Sequence, residues 1–519
     1  MKFLSLTYAL FLLSLAAIYW PATRSHWRLW TILMASAFFY ASLDTDRTLP
    51  WQVFYLPLLF AIILVNFRLA LELAEEATVR PHATDAQLSN EDWQFAQQDW
   101  NRRRFKILWF AIAVDVLLLL SFKYVPFLLL SIGALFRWPA AQELAAQADS
   151  SLVAPLALSY FCFECIAYLV DVYRGAPAEQ EFLQFAAYKL FFPKLLSGPI
   201  TRYHQWAAQF KALQFPSSDR IAEGLWLLAT GGIKKVLVAD HLGLVVDGIF
   251  DNLLRAGSGD LWLAILAYGL QLYLDFSGYV DIARGSAMLL GFNLPQNFDF
   301  PYFSTNIADF WRRWHITLGD WLRNYLYFPL GGSRQGLKRT CLNLVLIMLI
   351  AGLWHGAAWG FVVWGGIHGL ALAVHRLSVI LPKQAKFEAR AQWFQRWWQL
   401  PPGIAMAWLL TQGTVFFSWI FFRLPDLRES IWVVQHLWGH PADVQFAPKV
   451  YGELIGLYPH HIFPILGAIA ILMTVLYAAH RNLKLHLNWP VKILLVPLCL
   501  YAIWYLAPSG NLNYIYFDF

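Results

Sequence analysis

The sequence predicts an all-α protein that crosses a membrane many times, and three observations carry that expectation. Of the 519 residues, 59% are hydrophobic and only 14% charged, against about 45–50% apolar and about 25% charged in soluble domains. Long apolar segments recur from one end of the chain to the other. Aromatic residues make up 17%, which fits Trp and Tyr anchoring at the two water interfaces.

In the first half, apolar segments at 4–20, 30–43, 50–73, 107–131 and 152–173 are the expected spans, several of them near the ~20 residues that a bilayer core requires. The stretch following Met1-Lys2-Phe3 has the look of a signal peptide, but Pro21-Ala22-Thr23-Arg24 is a poor cleavage site, so a retained first span is expected. Loop charge orients these spans. The loops after the first, third and fifth are basic (Arg24 and Arg28; Arg80, Arg102, Arg103, Arg104 and Lys106; Arg174, Lys189, Lys194, Arg202 and Lys211). Those after the second and fourth offer Arg47, beside Asp44 and Asp46, and Arg137. Basic loops stay in the cytoplasm, which puts the N-terminus outside.

Segment 74–106 is the one long polar stretch of this half, and Trp93, Phe95 and Trp100 among its charges predict a cytoplasmic interfacial helix over 91–104. Pro193 and Pro199 break 175–215 into amphipathic or re-entrant pieces, tolerated at membrane depth only where buried in protein or lining water. The apolar stretch 341–375 has basic flanks on both sides, Arg334, Lys338 and Arg339 before it and Arg376, Lys383 and Lys386 after. With both flanks cytoplasmic it must enter and return in 35 residues where two full helices need about 40, so two full helices fit tightly and a re-entrant hairpin is the alternative. Its tip would be 353–360, with Gly352, Gly356 and Gly360 permitting close backbone approach. His355 would then lie ~20 Å from the cytoplasmic boundary. Further spans are expected near 403–422, 461–479 and 489–506.

Charge and cysteine usage narrow the chemistry. The net charge of +6 is dispersed over loops, with no block suited to nucleic acid. Cys162-Phe163-Glu164-Cys165 spells C-x-x-C inside an apolar run, where two small helix-packing residues explain it better than redox or metal chemistry. There is no Walker loop, no G-x-S-x-G elbow and no H-E-x-x-H, and the scattered histidines show no zinc geometry.

The residues that stand out are two histidines wrapped in tryptophan. His315 closes the run Asp309-Phe310-Trp311-Arg312-Arg313-Trp314-His315, and His355 follows 40 residues later in Leu353-Trp354-His355-Gly356. An imidazole in hydrocarbon is costly and by default marks a functional site; a neutral one can take a proton from a hydroxyl. Structural histidines capped by carbonyls are the alternative. Arg312 and Arg313 either snorkel to headgroups or bind an anionic or thioester donor and a developing oxyanion. Asp275 and Asp281, in Tyr273-Leu274-Asp275-Phe276-Ser277-Gly278-Tyr279-Val280-Asp281, need partners, and Arg284, Arg312 and Arg313 are the available cations; a polar core network is the economical account, with direct contact with substrate as the alternative. His368 reads as helix packing or support for the site. These residues alone leave an enzyme and a transporter with a histidine proton relay both open; a transporter would show inverted repeats with paired broken helices, and no such symmetry is visible.

Several stretches resemble the membrane-bound O-acyltransferase superfamily in its bacterial branch, which includes the alginate O-acetylation membrane proteins and the D-alanine transferases of teichoic acid. The matching runs are Phe122-Lys123-Tyr124, 155–175, Phe192-Pro193-Lys194-Leu195-Leu196-Ser197-Gly198-Pro199-Ile200, Gly232-Ile233-Lys234-Lys235, 273–332, 352–369 and the aromatic end 514–519. The block 273–332 includes Asn297-Phe298, Pro301-Tyr302 and Tyr327-Phe328-Pro329-Leu330-Gly331-Gly332. The alginate-type branch is the nearer in length and motif wording.

The resemblance implies a single membrane domain over 1–519, a ring of about 11–13 transmembrane helices with re-entrant and interfacial helices around a thin catalytic core, a funnel opening outside and a tunnel reaching the cytoplasm. His355 matches the histidine assigned as catalytic and His315 a second one commonly required. Asn324 stands where many relatives carry Asp, Glu164 where they carry Gln and Ser197 where they often carry Ala. The implied reaction moves an acyl group, most simply acetyl from acetyl-CoA, to an extracytoplasmic hydroxyl for polysaccharide O-acetylation, with no tightly bound cofactor and no metal. The implied setting is the bacterial inner membrane. Its lipids, a polysaccharide acceptor and a secreted serine-hydrolase-like acetyltransferase would be the partners.

Overall fold

The computed structural model describes residues 5–43, 51–75, 90–151, 154–384, 396–485, 487–508 and 514–515. Asp44, Asp46, Arg47, Arg80, Lys386 and most of the aromatic end lie outside them, as do the side chains of Trp93, Phe95, Trp100 and Lys383. Among the described residues there are helices and no strands. Eight helices are long and apolar enough to cross a bilayer, so the protein is an all-α polytopic membrane protein. Its contacts divide it into two compact units, Met1–Ser217 with Ser286–Pro295, and Ser218–Gly285 with Gln296–Phe519.

The first unit holds α1 (Leu6–Tyr19), α2 (Ser25–Ala41), α3 (Trp51–Glu75), α4 (Asn90–Lys123), α5 (Val125–Phe136), α6 (Ala141–Ser151), α7 (Leu158–Tyr173), α8 (Phe182–Lys189), α9 (Phe192–Leu195) and α10 (Tyr203–Lys211). Two expected elements are drawn differently. The segment 91–104 is no separate interfacial helix: α4 runs unbroken from the polar stretch into the span, because no Pro or Gly stops it. The apolar run 107–131 is two helices, since the chain breaks at Tyr124 and Pro126 restarts it in the first turn of α5. As the prolines require, 175–211 is a string of short helices, and their Phe185, Tyr188, Phe191, Phe192 and Trp206 are fully buried.

Arg104 ties this unit together at the helix C-termini. Its guanidinium donates to Leu73 O at 3.2 Å and Tyr173 O at 2.7 Å, closing the orphan carbonyls at the ends of α3 and α7 with a cation. At the centre lies a fully buried charge cluster. Glu164 accepts from Lys194 Nζ at 2.5 and 2.7 Å, from Lys189 Nζ at 3.4 Å, from Tyr160 Oη at 2.9 Å and from Thr201 N at 3.3 Å. Lys189 also donates to Phe161 O at 2.9 Å, and the Lys194 ammonium stands 3.8 Å from the centre of the Tyr188 ring.

The second unit begins with α11 (Ser218–Gly232), a π-helical stretch (Ile233–Ala239) and α12 (Asp240–Phe250), and then takes α13 (Ser258–Leu289) as far as Gly285. Short α14 (Ile307–Arg313) and α15 (Ile316–Leu322) follow, then a second π-helical stretch (Arg323–Tyr327). The long helices α16 (Gly336–His355), α17 (Trp359–Gln384) and α18 (Pro401–Arg423), the short α19 (Leu427–His436), and α20 (Pro459–Arg481) and α21 (Trp489–Leu506) complete it.

Of the two alternatives for 341–375 the structure takes the pair of helices, each long enough to span, and not the re-entrant hairpin. The apolar stretch underestimated them because the basic flanks continue the helix; charges end a hydropathy window, not the i→i+4 hydrogen bonding. At ~1.5 Å per residue His355 lies roughly 30 Å along the axis from Gly336, where α16 begins. The turn at 356–358 is tight, and the helices touch backbone to backbone. A Cβ added at Gly352 would stand 2.2 Å from Phe361 O, one at Gly356 2.1 Å from the Phe361 ring and one at Gly365 2.3 Å from Met348 O. Gly366, next door, has nothing nearer than Leu349 Cδ2 at 3.8 Å. Gly365→Ala is therefore expected to cost about 1–3 kcal/mol through overpacking, while Gly366→Ala is neutral. Melting of the detergent-solubilised variants checks this, and equal melting of the two would refute the close packing.

Candidate active site

His315 sits in the turn between two short helices that its own neighbours enforce. Asn306 starts α14 by accepting from Asp309 N at 2.8 Å. The chain leaves α14 through Trp314 and passes through His315 in the left-handed region, φ 44°, before α15 begins; histidine is among the non-glycine residues enriched there. The segment 297–299 runs alongside and holds the turn on both sides, with Asp299 N donating to Arg313 O at 3.0 Å and Ile316 N to Asn297 O at 2.9 Å. The Asn297 side chain continues the bracket: its Oδ1 accepts from Thr317 N at 3.0 Å and Thr317 Oγ1 at 2.9 Å, and lies 3.3 Å from His315 Nδ1. The ring is 3% exposed and meets Phe276 edge-on at 4.9 Å. Burial pulls its pKa well below the ordinary value, opposed by a hydrogen bond to its own backbone, so the imidazole is neutral.

His355 ends α16, and the next residue, Gly356, turns the chain in extended conformation, φ −169°. Its imidazole is enclosed by Trp354, Trp364 and Phe422, with ring centres 4.9, 5.1 and 5.1 Å away. Trp354 is the link between the histidines, since its indole also stands 6.2 Å from the His315 ring. The structure thus brings together the two residues singled out from sequence, around one indole and in a dry aromatic setting. Two indole nitrogens close to this box, Nε1 of Trp364 and of Trp419, are buried with no hydrogen-bond partner.

His368 has a different character. Trp311 Nε1 donates to its Nδ1 at 3.3 Å, and its Nε2 donates to Ser418 Oγ at 2.8 Å while that hydroxyl passes its proton to Val415 O at 2.7 Å. Both ring nitrogens are committed, as expected of a packing residue that supports Trp364, 4.9 Å away.

The charged candidates divide. Asp309 takes both arginines, Arg313 Nε at 2.9 Å and Arg312 at 3.3 Å. The Arg312 side chain is 70% exposed, and Arg313 keeps Nη1 buried without a partner. The expected pairing with arginines holds for Asp281, which Arg284 reaches, and is corrected for Asp275. Asp275 binds Lys235 Nζ at 2.6 Å, which also binds Asp240 at 2.8 Å, and Asp281 binds Lys234 Nζ at 2.6 Å, with Arg284 at 3.7 Å. The π-helical stretch 233–239 delivers both lysines, 40 and 47 residues before their partners. The cluster extends to the chain's last described residues: Ile515 N donates to Asp275 Oδ2 at 3.2 Å, and the Lys235 ammonium stands 4.5 Å from the Tyr514 ring, which packs on Tyr279 at 5.2 Å. Asp275 reaches the site only through its neighbour Phe276. Asn324 donates to Asp320 O at 2.7 Å within its own helical turn.

Sequence reasoning passed over Asn297, Lys235, Trp364 and Phe422 as site residues. For Lys234 and Lys235 a signal existed, two lysines at membrane depth upstream of two aspartates. For Asn297 the signal was its place in the matching block 273–332 alone, since its contacts depend on a turn 18 residues away. Among the described residues no group of three His, Cys, Asp or Glu could hold a metal ion.

A polytopic helical protein with two buried histidines meeting one tryptophan is the arrangement in which comparison with known proteins becomes informative. The profile of the membrane-bound O-acyltransferase family matches residues 180–392, which include both histidines. A peptidoglycan O-acetyltransferase of Helicobacter pylori is 34% identical over 441 residues, 79% of this chain and 74% of that protein. A probable alginate O-acetylase of Pseudomonas syringae pv. tomato is 36% identical over 398 residues, 76% of this chain and 67% of its own length. A teichoic acid D-alanyltransferase of Streptococcus thermophilus is 26% identical over 298 residues, 52% of this chain and 69% of that enzyme. The chain belongs to the membrane-bound O-acyltransferase family, and it is an acyltransferase.

Proposed function

We propose that this protein transfers an acetyl group from a cytoplasmic thioester, acetyl-CoA, to a hydroxyl on the outer side of the bacterial inner membrane, as a step in the O-acetylation of a cell-surface or exported polysaccharide. The observation that carries the proposal is the pair of buried imidazoles flanking Trp354. His355 takes the proton from the acceptor hydroxyl as its oxygen attacks the thioester carbonyl. The tetrahedral intermediate collapses with cleavage of the C–S bond, and the imidazolium returns the proton to the departing thiolate, leaving ester and free thiol. His315 orients the acceptor hydroxyl or steadies the oxyanion. Arg313 adds positive charge from α14, and the exposed Arg312 adds it from the protein's surface. Asp275, Asp281 and Asn324 hold the surrounding helices.

The two acetylase relatives support acetyl over D-alanyl transfer, since the D-alanyltransferase match is weaker and shorter. A secreted serine-hydrolase-like acetyltransferase is the partner that accepts the group or passes it on, the N-terminus faces outside, and the chain works as one membrane domain with the lipid around it.

Sidedness tests the donor. Radiolabelled acetyl-CoA supplied to inside-out vesicles, with acceptor in the lumen, should yield labelled ester, and intact right-side-out vesicles should yield none until permeabilised. Labelling of intact right-side-out vesicles at the same rate would overturn the cytoplasmic donor.

A further inference from the structure

We infer that Tyr477 and Arg481 are positioning residues for the transfer: from the last turn of α20 they hold the backbone at Asp299 and Phe300, and through it the turn that presents His315. The inference rests on the reading of His315 as a working residue of the site.

The backbone poses the question. Phe300 is in the left-handed region, φ 48°, as is His315, φ 44°. A bulky residue keeps such a conformation only where its surroundings impose it. The two left-handed residues are cross-linked, because Asp299 N donates to Arg313 O at 3.0 Å and Ile316 N to Asn297 O at 2.9 Å. A shift of the backbone at 299–300 is therefore passed on to His315, whose ring is buried against Phe276 and Trp354.

The last turn of α20 supplies the grip on Phe300. The Tyr477 ring lies flat on Phe303, with centres 4.4 Å apart and planes 2° from parallel, and meets Phe300 edge-on at 5.6 Å. His480 adds a second ring 5.8 Å from Phe300. Arg481 forms an ion pair with Asp299, and the Arg313 guanidinium donates to the Tyr477 hydroxyl. Further along the same stretch Tyr302 is tied to two other helices. Its hydroxyl donates to Gly269 O of α13 at 2.5 Å, and Trp408 Nε1 of α18 donates to Tyr302 O at 2.8 Å. The stretch is thus held at both ends, and α20 holds the end that joins the bracket around His315.

The rest of α20 fits a helix that acts through its terminus. Of its 23 residues, Ile462, Leu466 and Met473 are the buried ones, so most of its surface faces outward, as a helix in lipid does. An arginine at such a helix end ordinarily snorkels to headgroups. Arg481 is paired with Asp299 instead, although its side chain is 41% exposed.

A purely structural role would show in melting, so the experiment reads kcat and melting together along α20. Tyr477→Ala should lower kcat for labelled acetyl transfer about 10–100-fold, the cost of a misplacement of about 1 Å at a reacting centre, with KM for acetyl-CoA unchanged. Tyr477→Phe keeps the ring on Phe303 and should retain most of the activity. Arg481→Asp should lower kcat in the same way, and adding Asp299→Arg should restore it by re-forming the pair in reverse. Leu466→Ala, roughly 16 Å away along the helix, is the control: melting falls while kcat of the folded protein stays. Wild-type kcat in folded Tyr477→Ala and Arg481→Asp, with His315→Ala inactive, would overturn the inference and leave the role of His315 standing. A kcat loss in Leu466→Ala as large as that in Tyr477→Ala would overturn it as well, because the effect would then belong to the stability of α20. Full transfer by a folded His315→Ala protein would remove the reading beneath it.

Discussion

Replacing His355 with alanine is expected to lower acetyl transfer by about 10²–10⁴-fold, the contribution usual for a positioned general base. The loss should fall on kcat, because the base acts on the proton that moves in the transition state and adds little to donor binding. Trp354, Trp364 and Phe422 stand around the imidazole, and none of these rings can accept a proton in its place. His368 lies nearby, but both its nitrogens are committed to Trp311 and Ser418. His315→Ala should also lose activity. If the two histidines act as a unit around Trp354, the double variant should lose little more than the worse single one. The measurement is transfer of labelled acetyl in membranes at matched expression, with thermal melting to show that the variants are folded. Undiminished transfer by His355→Ala would sink its assignment as base.

Glu164→Ala is expected to be the most damaging single change outside the site, by about 3–5 kcal/mol, the penalty of breaking a buried ion pair from one side. One carboxylate compensates two ammonium groups here, and neither glutamate nor lysines are exposed at all. Its loss removes the counter-charge of Lys194 and Lys189 and the acceptor of Thr201 N, leaving Lys189 its bond to Phe161 O and Tyr160 Oη its bond to Pro199 O. Glu164→Gln keeps an acceptor oxygen and should fall between alanine and wild type. Lys194→Met should be milder still, because Lys189 then remains to neutralise the glutamate. Heat-induced unfolding in detergent ranks the three. Equal melting of Glu164→Ala and wild type would show that the cluster adds nothing to stability.

Much of this was legible in the sequence, and the remainder was hidden for definite reasons. Spans read well where apolar length alone decides, as at Pro401–Arg423 and Pro459–Arg481. Helix ends read poorly, because α16 and α17 continue through basic residues that hydropathy excludes, which made two full helices look too long for the stretch. The segment 30–43 shows the same error at its start, a helix of 17 residues that begins at Ser25, inside what reads as loop. In the site, His315 and His355 announced themselves because an imidazole among tryptophans has an energetic cost that residue type reveals. The partner of a buried charge is chosen by the fold instead, so Lys235 displaced the arginines as the counter-ion of Asp275. Asn297 is the extreme case, an ordinary polar residue whose meaning lies wholly in the turn it faces.

The contact of Tyr514 and Ile515 with Lys235 and Asp275 imposes an order on biogenesis. Lysine and aspartate enter the bilayer early in synthesis, yet the aromatic face over the ammonium and the backbone donor to the carboxylate come 240 residues after Asp275. Until that stretch has been made, the nascent chain must keep this ion pair hydrated or sheltered by the insertion machinery. Closure of the cluster therefore follows insertion of the long helices, and a chain truncated before Tyr514 would lack both the aromatic face over the ammonium and the backbone donor to the carboxylate.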